Sequence, residues 1–213
     1  MKKVTFCFLL IVVMALVPCL SQVNETIPLP PSQKQGGMSL MEALSLRRSQ
    51  RSFSNKEVSS QELSNLLWAA FGVNRTDGGR TAPSPHGWNE FDIYVIKADG
   101  WFIYEAKENT LLKMGDKDLR EFAGGQDFVK TAPVNLIYVA DFDRMTDASE
   151  ELKKFYSAID VGFISQNVYL YCASAGLSTV VRAQTDKDKL REVLQLRTNQ
   201  HPILAQTVGY PGE

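Results

Sequence analysis

The chain is short of cysteine, of histidine and of any surplus of charge. Of three cysteines, Cys7 and Cys19 fall in an apolar N-terminal stretch, and only Cys172 stands beyond it. One cysteine forms no internal disulfide, so stability must come from an ordinary core. Cys172 sits in an apolar helical pattern, where a thiol acts as a small core residue. There are two histidines, His86 and His201, with no cysteine beside either. That argues against a zinc centre, and no metal is expected. Lysine and arginine number 23 against 24 acidic residues, a net charge of −1, and no basic stripe is visible. Nucleic acid is therefore not an expected partner. The apolar run 6–17 is too short and too poorly flanked for a membrane span.

That run does have the layout of an export signal. Lys2 and Lys3 precede it, Pro18 breaks it, and Cys19-Leu20-Ser21 supplies small residues before Gln22. Cleavage after Ser21 is the expectation, and the product would be secreted or periplasmic. A lipid on Cys19 is the alternative, although Val17 and Pro18 match poorly the small residues expected before a lipidated cysteine. The reading divides the chain into a signal (1–21), a Pro/Gly-rich leader (22–37) and one domain (38–213). Proline in Ile27-Pro28-Leu29-Pro30-Pro31 makes the leader an extended, semi-rigid spacer.

Periodicity supplies the elements of the domain. Ser39-Leu40-Met41-Glu42 reads as a capping box opening a helix with Leu40, Ala43 and Leu44 on one face. Ser59-Ser60-Gln61-Glu62 is a second box, followed by Leu63, Leu66, Leu67, Ala70 and Phe71 at helical spacing, with Gly72 as the stop. Strands are predicted at 91–97 and 101–106, joined at Asp99-Gly100, and at 134–140 as a buried strand. A short helix is read over 118–122 and the longest over 149–175, ended by Gly176. Ala158, Gly162, Ser165, Ala173 and Ala175 in the long helix are small enough to admit a close neighbour. A short strand (178–182), a helix (186–194) and a last strand (203–208) follow. Helices and strands intermix around a hairpin, which makes the fold α+β.

Three stretches could carry chemistry. Arg47-Arg48-Ser49-Gln50-Arg51 places three guanidinium groups and a hydroxyl where a helix gives way to a loop. Guanidinium forks match phosphate oxygens and stay charged, so a phosphorylated ligand is one reading. Cations decorating a helix C-terminus are the other. Pro83-Ser84-Pro85-His86-Gly87, before a strand, suits contact with an aromatic ring edge but is equally an ordinary surface loop. His86 is a weak candidate proton donor or polar contact, and His201, ahead of Pro202 at a strand entry, reads as structural. Thr179-Val180-Val181-Arg182 follows the long helix, where core packing is the simplest role.

In this order these features resemble the nitroreductase family of FMN-dependent oxidoreductases, including its SagB-type dehydrogenase branch. The landmarks are Arg47-Arg48-Ser49-Gln50-Arg51-Ser52-Phe53, then Pro83-Ser84-Pro85-His86-Gly87-Trp88 before Phe91-Asp92-Ile93-Tyr94-Val95-Ile96. Later ones are Lys130-Thr131-Ala132-Pro133, Asp160-Val161-Gly162-Phe163-Ile164-Ser165-Gln166-Asn167 and Val208-Gly209-Tyr210-Pro211. The resemblance implies a central, mostly antiparallel sheet flanked by helices, and an FMN held in an intertwined homodimer. Arg47, Arg48, Ser49 and Arg51 would bind the cofactor. Pro83, Ser84, Pro85, His86 and Gly87 would reach it from the partner subunit, and the backbone of Thr179, Val180, Val181 and Arg182 would approach the ring. Family members often carry a basic C-terminal tail, which this sequence does not show. Phosphate neutralisation would then rest on Arg47, Arg48 and Arg51, with Arg182 or Lys130 in support.

The implied activity is transfer of hydride from a reduced donor, NAD(P)H, to a small aromatic or quinone-like acceptor such as a nitroaromatic. The chemistry would be the flavin's, so no catalytic side chain is expected. Two alternatives stay open: a flavin- or ligand-binding protein without turnover, and a SagB-like azoline or peptide oxidase.

Overall fold

A computed structural model describes residues 25–213. The predicted signal, 1–21, lies outside the described residues. The remainder is an α+β fold around a seven-stranded antiparallel sheet in the order β1-β4-β3-β2-β5-β7-β6.

Strand β5 (Val134–Asp141) lies at the heart of the sheet, between β2 (Phe91–Lys97) and β7 (Gln200–Gly209), and every residue in it is buried. Alternate side chains explain why. Val134, Leu136, Tyr138 and Ala140 join the larger core, while Ile137 and Val139 join a second core on the other side. Helices α2 (Ser60–Phe71) and α4 (Glu150–Ala175) contribute to the first core, and α5 (Lys187–Val193) to the second through Leu190. β2 and β3 (Gly100–Glu105) form the expected hairpin.

The reciprocal capping box predicted for α2 is present: Ser59 accepts from the Glu62 amide, and Glu62 accepts from the Ser59 amide at 2.9 Å. The box predicted for α1 (Leu40–Leu46) is only half made, with Ser39 accepting from the Glu42 amide. Of the face formed by Leu40, Ala43 and Leu44 on α1, only Ala43 is buried; Leu40 is 63% and Leu44 45% exposed. Gly72 ends α2, but in extended rather than left-handed backbone (φ −71°). Close packing explains the glycine, since a Cβ there would meet the Trp68 backbone at 2.7 Å. Gly176 does take the left-handed conformation, φ 69°, at the end of α4.

Three elements go beyond those the sequence pattern predicts. β4 (Thr110–Gly115) pairs with β3, and α3 (Asp127–Thr131) precedes β5. The segment expected to be a spacer contributes the edge strand β1 (Thr26–Pro28), which pairs with β4. An edge tolerates Pro28 because a missing N–H leaves no central ladder bond broken. Beyond β1 the chain is tied down by the Pro30 carbonyl, which accepts from Asn109 Nδ2 at 3.0 Å, and by the Met38 amide, which donates to Ser174 Oγ at 2.8 Å. The predicted helix near 118–122 is a 3-10 turn, Arg120–Ala123.

Candidate functional site

The site begins where α1 stops. Arg47 leaves helical geometry (φ −55°, ψ 123°), and the chain then runs beside β6 (Ser178–Arg182), the edge strand opposite β1. The Gln50 amide donates to the Thr179 carbonyl at 3.0 Å. Tyr169, on the buried face of α4, fastens the two segments together. Its hydroxyl lies 2.7 Å from Ser49 Oγ and accepts from the Val181 amide at 3.0 Å. The Arg47 guanidinium sits over the Tyr169 ring, 5.3 Å from its centre. Arg48, Ser49 and Arg51 are exposed, and among the described residues none of Arg47, Arg48 and Arg51 is in an ion pair. Three guanidinia on one ledge, free of carboxylate partners among the described residues, have the chemistry to meet an anion.

Beside that ledge is a cleft of about 340 Å³, lined by Arg51, Gly125, Gln126, Val181, Arg182, Ala183 and Gln184. The structure therefore unites the arginine segment with the end of β6, two stretches more than a hundred residues apart. It does not present all of β6 to the cleft. Thr179 and Val180 are buried, and Thr179 Oγ1 donates to the Thr207 carbonyl at 2.8 Å. The Val181 amide donates to the Tyr169 hydroxyl. Arg182 is turned inward and buried, and Lys130 lines a different cleft with Lys97 and Arg120. Tyr169 escaped the sequence reading; its only local signal is a polar-tipped aromatic on an apolar helix face.

The loop 83–87 lies elsewhere in the chain. Ser84 Oγ accepts from the Asn89 amide and donates to Glu90 Oε2, each at 3.0 Å. His86 is exposed with φ 54°, and its ring lies 4.7 Å from that of Trp88. Trp88 in turn meets the edge of Tyr156 on α4 at 5.8 Å. These side chains, with Thr146, Asp147, Ala148 and Leu152, line a second cavity of about 320 Å³. Tyr156 and Tyr169 are 13 positions apart on one helix, so at 1.5 Å per residue the loop and the ledge contact α4 about 20 Å apart. Within a single chain the loop and the ledge are therefore far apart.

Under the loop lies a pair of buried acids. Glu90 and Asp160 are essentially inaccessible, and their carboxyl groups interact with each other. Burial and then the neighbouring Glu90 carboxylate push Asp160 well above the usual carboxylate range. His201 packs against Phe142 at 4.3 Å, and burial lowers its pKa, in keeping with a structural role. The Cys172 thiol is buried and pushed up by that burial, which leaves it unreactive.

Comparison with known proteins agrees with this geometry. The family model described as the nitroreductase family matches residues 44–210. A solved structure from Ralstonia eutropha JMP134, described as a nitroreductase, superposes with a TM-score of 0.84 at 42% identity, covering 88% of this chain and 90% of its own. A protein described as a nitroreductase in Methanocaldococcus jannaschii is 31% identical over 180 residues, 80% of this chain and 90% of its own length. The FMN reductase [NAD(P)H] of Bacillus subtilis is 24% identical over 188 residues, 82% of this chain and 66% of that protein. On these grounds the chain belongs to the nitroreductase family.

Proposed function

We propose that this protein is an FMN-dependent oxidoreductase whose cofactor sits between two copies of the chain. The observation that carries the reading is the ledge of unpaired Arg47, Arg48 and Arg51, clamped to β6 by Tyr169 beside a cleft. The donor set fits the group: exposed guanidinia suit a phosphate, and Ser49 offers a neutral hydroxyl for a ribityl chain. The relative named FMN reductase [NAD(P)H] supports the choice of cofactor and donor. Bound FMN would supply hydride transfer from NAD(P)H to a flat acceptor such as a nitroaromatic or quinone. The protein's own part is to grip the phosphate, exclude water and set the local field.

The second copy follows from the separated half-sites and from apolar surface. Leu152, Phe155, Ile159 and Phe163 form an exposed stripe along α4, and Leu40, Met41, Leu44 and Leu46 are exposed on α1. Ala158 and Gly162 beside the α4 stripe are exposed too, and a Cβ at Gly162 would meet nothing within 4 Å. Large apolar patches of this kind mark interfaces. A partner docked there would bring its Pro83, Ser84, Pro85, His86 and Gly87 towards this chain's ledge.

The export signal adds that the enzyme works outside the cytoplasm. Because NAD(P)H is scarce there, binding of flavin without turnover is the second reading. Oxidation of NADH or NADPH by flavin-loaded protein separates the two.

The test is an absorbance spectrum of the purified mature domain, followed by Arg47→Ala and Arg51→Ala. The wild type should be yellow or take up added FMN. Removing either guanidinium should cost roughly 1.5–3 kcal/mol of charge-assisted bonding, one to two decades in affinity. A colourless wild type that cannot be loaded with FMN contradicts the proposal.

A further inference from the structure

Arg182, the last residue of β6, is a buried cation with no counter-ion among the described residues. Its side chain is 8% exposed. Nη1 donates to the Ala123 carbonyl at 2.6 Å, and Nη2 to Asn135 Oδ1 at 3.2 Å and Thr207 Oγ1 at 2.7 Å. All three acceptors are neutral. No carboxylate is within ion-pair distance among the described residues, and the Nε–H is buried without a partner. The Phe128 ring, 5.8 Å from the guanidinium carbon, adds only a weak attraction. Burial draws the guanidinium down to about 10, so it remains charged at neutral pH.

An unpaired charge in the interior is normally selected against, because desolvation costs several kcal/mol. Here the surroundings are built to keep it. Asn135 is fixed by donating to the Val129 carbonyl at 2.9 Å, and Thr207 Oγ1 donates to Asn135 Oδ1 at 2.6 Å, which aims both oxygens at the guanidinium. Gly124 leaves the room that Nη1 occupies, since a Cβ there would overlap it. Arg182 is also one of the residues lining the cleft beside the arginine ledge, together with Arg51, so the buried charge lies just behind that wall.

We infer that Arg182 is a positioning charge for the reduced state of the bound flavin, its missing counter-ion being the negative charge that the ring acquires on reduction. This rests on the FMN reading above. A hydride carries two electrons and one proton, so its arrival from NAD(P)H turns a neutral ring into an anion, and NAD(P)+ leaves oxidised. A fixed cation stabilises that anion and not the oxidised ring, which makes reduction more favourable. A phosphate is the weaker candidate for the counter-ion. Both Nη nitrogens are already engaged by neutral acceptors, so the fork that grips phosphate bidentately is not on offer, whereas the exposed Arg48 and Arg51 do offer theirs.

The experiment is a redox titration of FMN-loaded protein with an indicator dye, for the wild type, Arg182→Gln and Arg182→Lys. FMN affinity in the oxidised state is measured alongside. Arg182→Gln should bind oxidised FMN within about threefold of wild type, yet lose roughly tenfold in preference for the reduced form, a drop of about 30 mV for a two-electron couple. Arg182→Lys should restore most of it. A potential unchanged in Arg182→Gln overturns the inference, whatever happens to affinity. If Arg182→Gln does not fold, the wild type's own pH dependence decides. Uptake of one proton per two electrons gives about 30 mV per pH unit on the acid side of neutrality, and about 59 mV there means a neutral reduced ring and overturns the inference. A wild type that binds no FMN defeats the underlying reading instead.

Discussion

Ser49 Oγ and the Tyr169 hydroxyl lie 2.7 Å apart, joining the loop after α1 to the long helix α4. Because the same hydroxyl accepts from the Val181 amide, one phenol oxygen fixes the distance between the arginine ledge and β6. Tyr169→Phe keeps the ring under Arg47 and removes both hydrogen bonds. It should cost about 1–2 kcal/mol of stability and weaken FMN binding by roughly three- to tenfold. Thermal unfolding and FMN fluorescence quenching read the two effects separately.

Asp160 beneath the 83–87 loop gives the protein a pH-dependent cost. Burial and Glu90 raise its pKa in the folded state to about 7, from 3.8. The folded state therefore binds the proton more tightly than the unfolded chain. The stability this provides is complete below about pH 4 and fades as pH rises through 7. Asp160→Asn carries no charge to desolvate and should lack that component. The variant should gain on the wild type between pH 5 and pH 8 by roughly 1–2 kcal/mol, a value discounted for screening by water. Urea midpoints at the two pH values test it. Equal pH dependence in both proteins would show that the acid pair does not titrate as described.

Phe163 projects from the exposed stripe of α4, with Gly162 beside it. Phe163→Glu should leave the fold intact, since the side chain meets no core, but should place a charge in the proposed seam. Burying it unpaired costs roughly 2–4 kcal/mol, about one and a half to three decades in dimer affinity. Sedimentation velocity at micromolar concentration should show a dimer for the wild type and a monomer for the variant.

Much of the fold was legible because its main elements obey one period throughout. β5 reads as a continuous apolar run because both faces are covered, and α2 and α4 carry caps where Ser59, Ser149 and Gly176 place them. β4 was hidden: Thr110-Leu111-Leu112-Lys113-Met114-Gly115 neither alternates nor stays apolar, and only Leu111 is buried. α3 is five residues long, too short for periodicity to show. The edge strand β1 was masked by prolines that an edge tolerates.

The site divides in the same way. Arg47, Arg48, Ser49 and Arg51 are adjacent, so their clustering needed no fold to be seen. The clamp by Tyr169, the neutral cradle of Arg182 and the meeting of Glu90 with Asp160 join residues 12 to 120 positions apart, through contacts that no local pattern announces. The separation of the loop from the ledge along α4 likewise became visible only as a distance along a helix.

The most direct test of a cofactor site divided between two chains is an FMN titration of the wild type and Phe163→Glu, with assembly state followed by sedimentation on the same samples. The wild type should bind one FMN per chain as a dimer, and the monomeric variant should bind at least tenfold more weakly, recovering as concentration forces dimers to form. A monomer that binds FMN as tightly as the dimer would contradict the account.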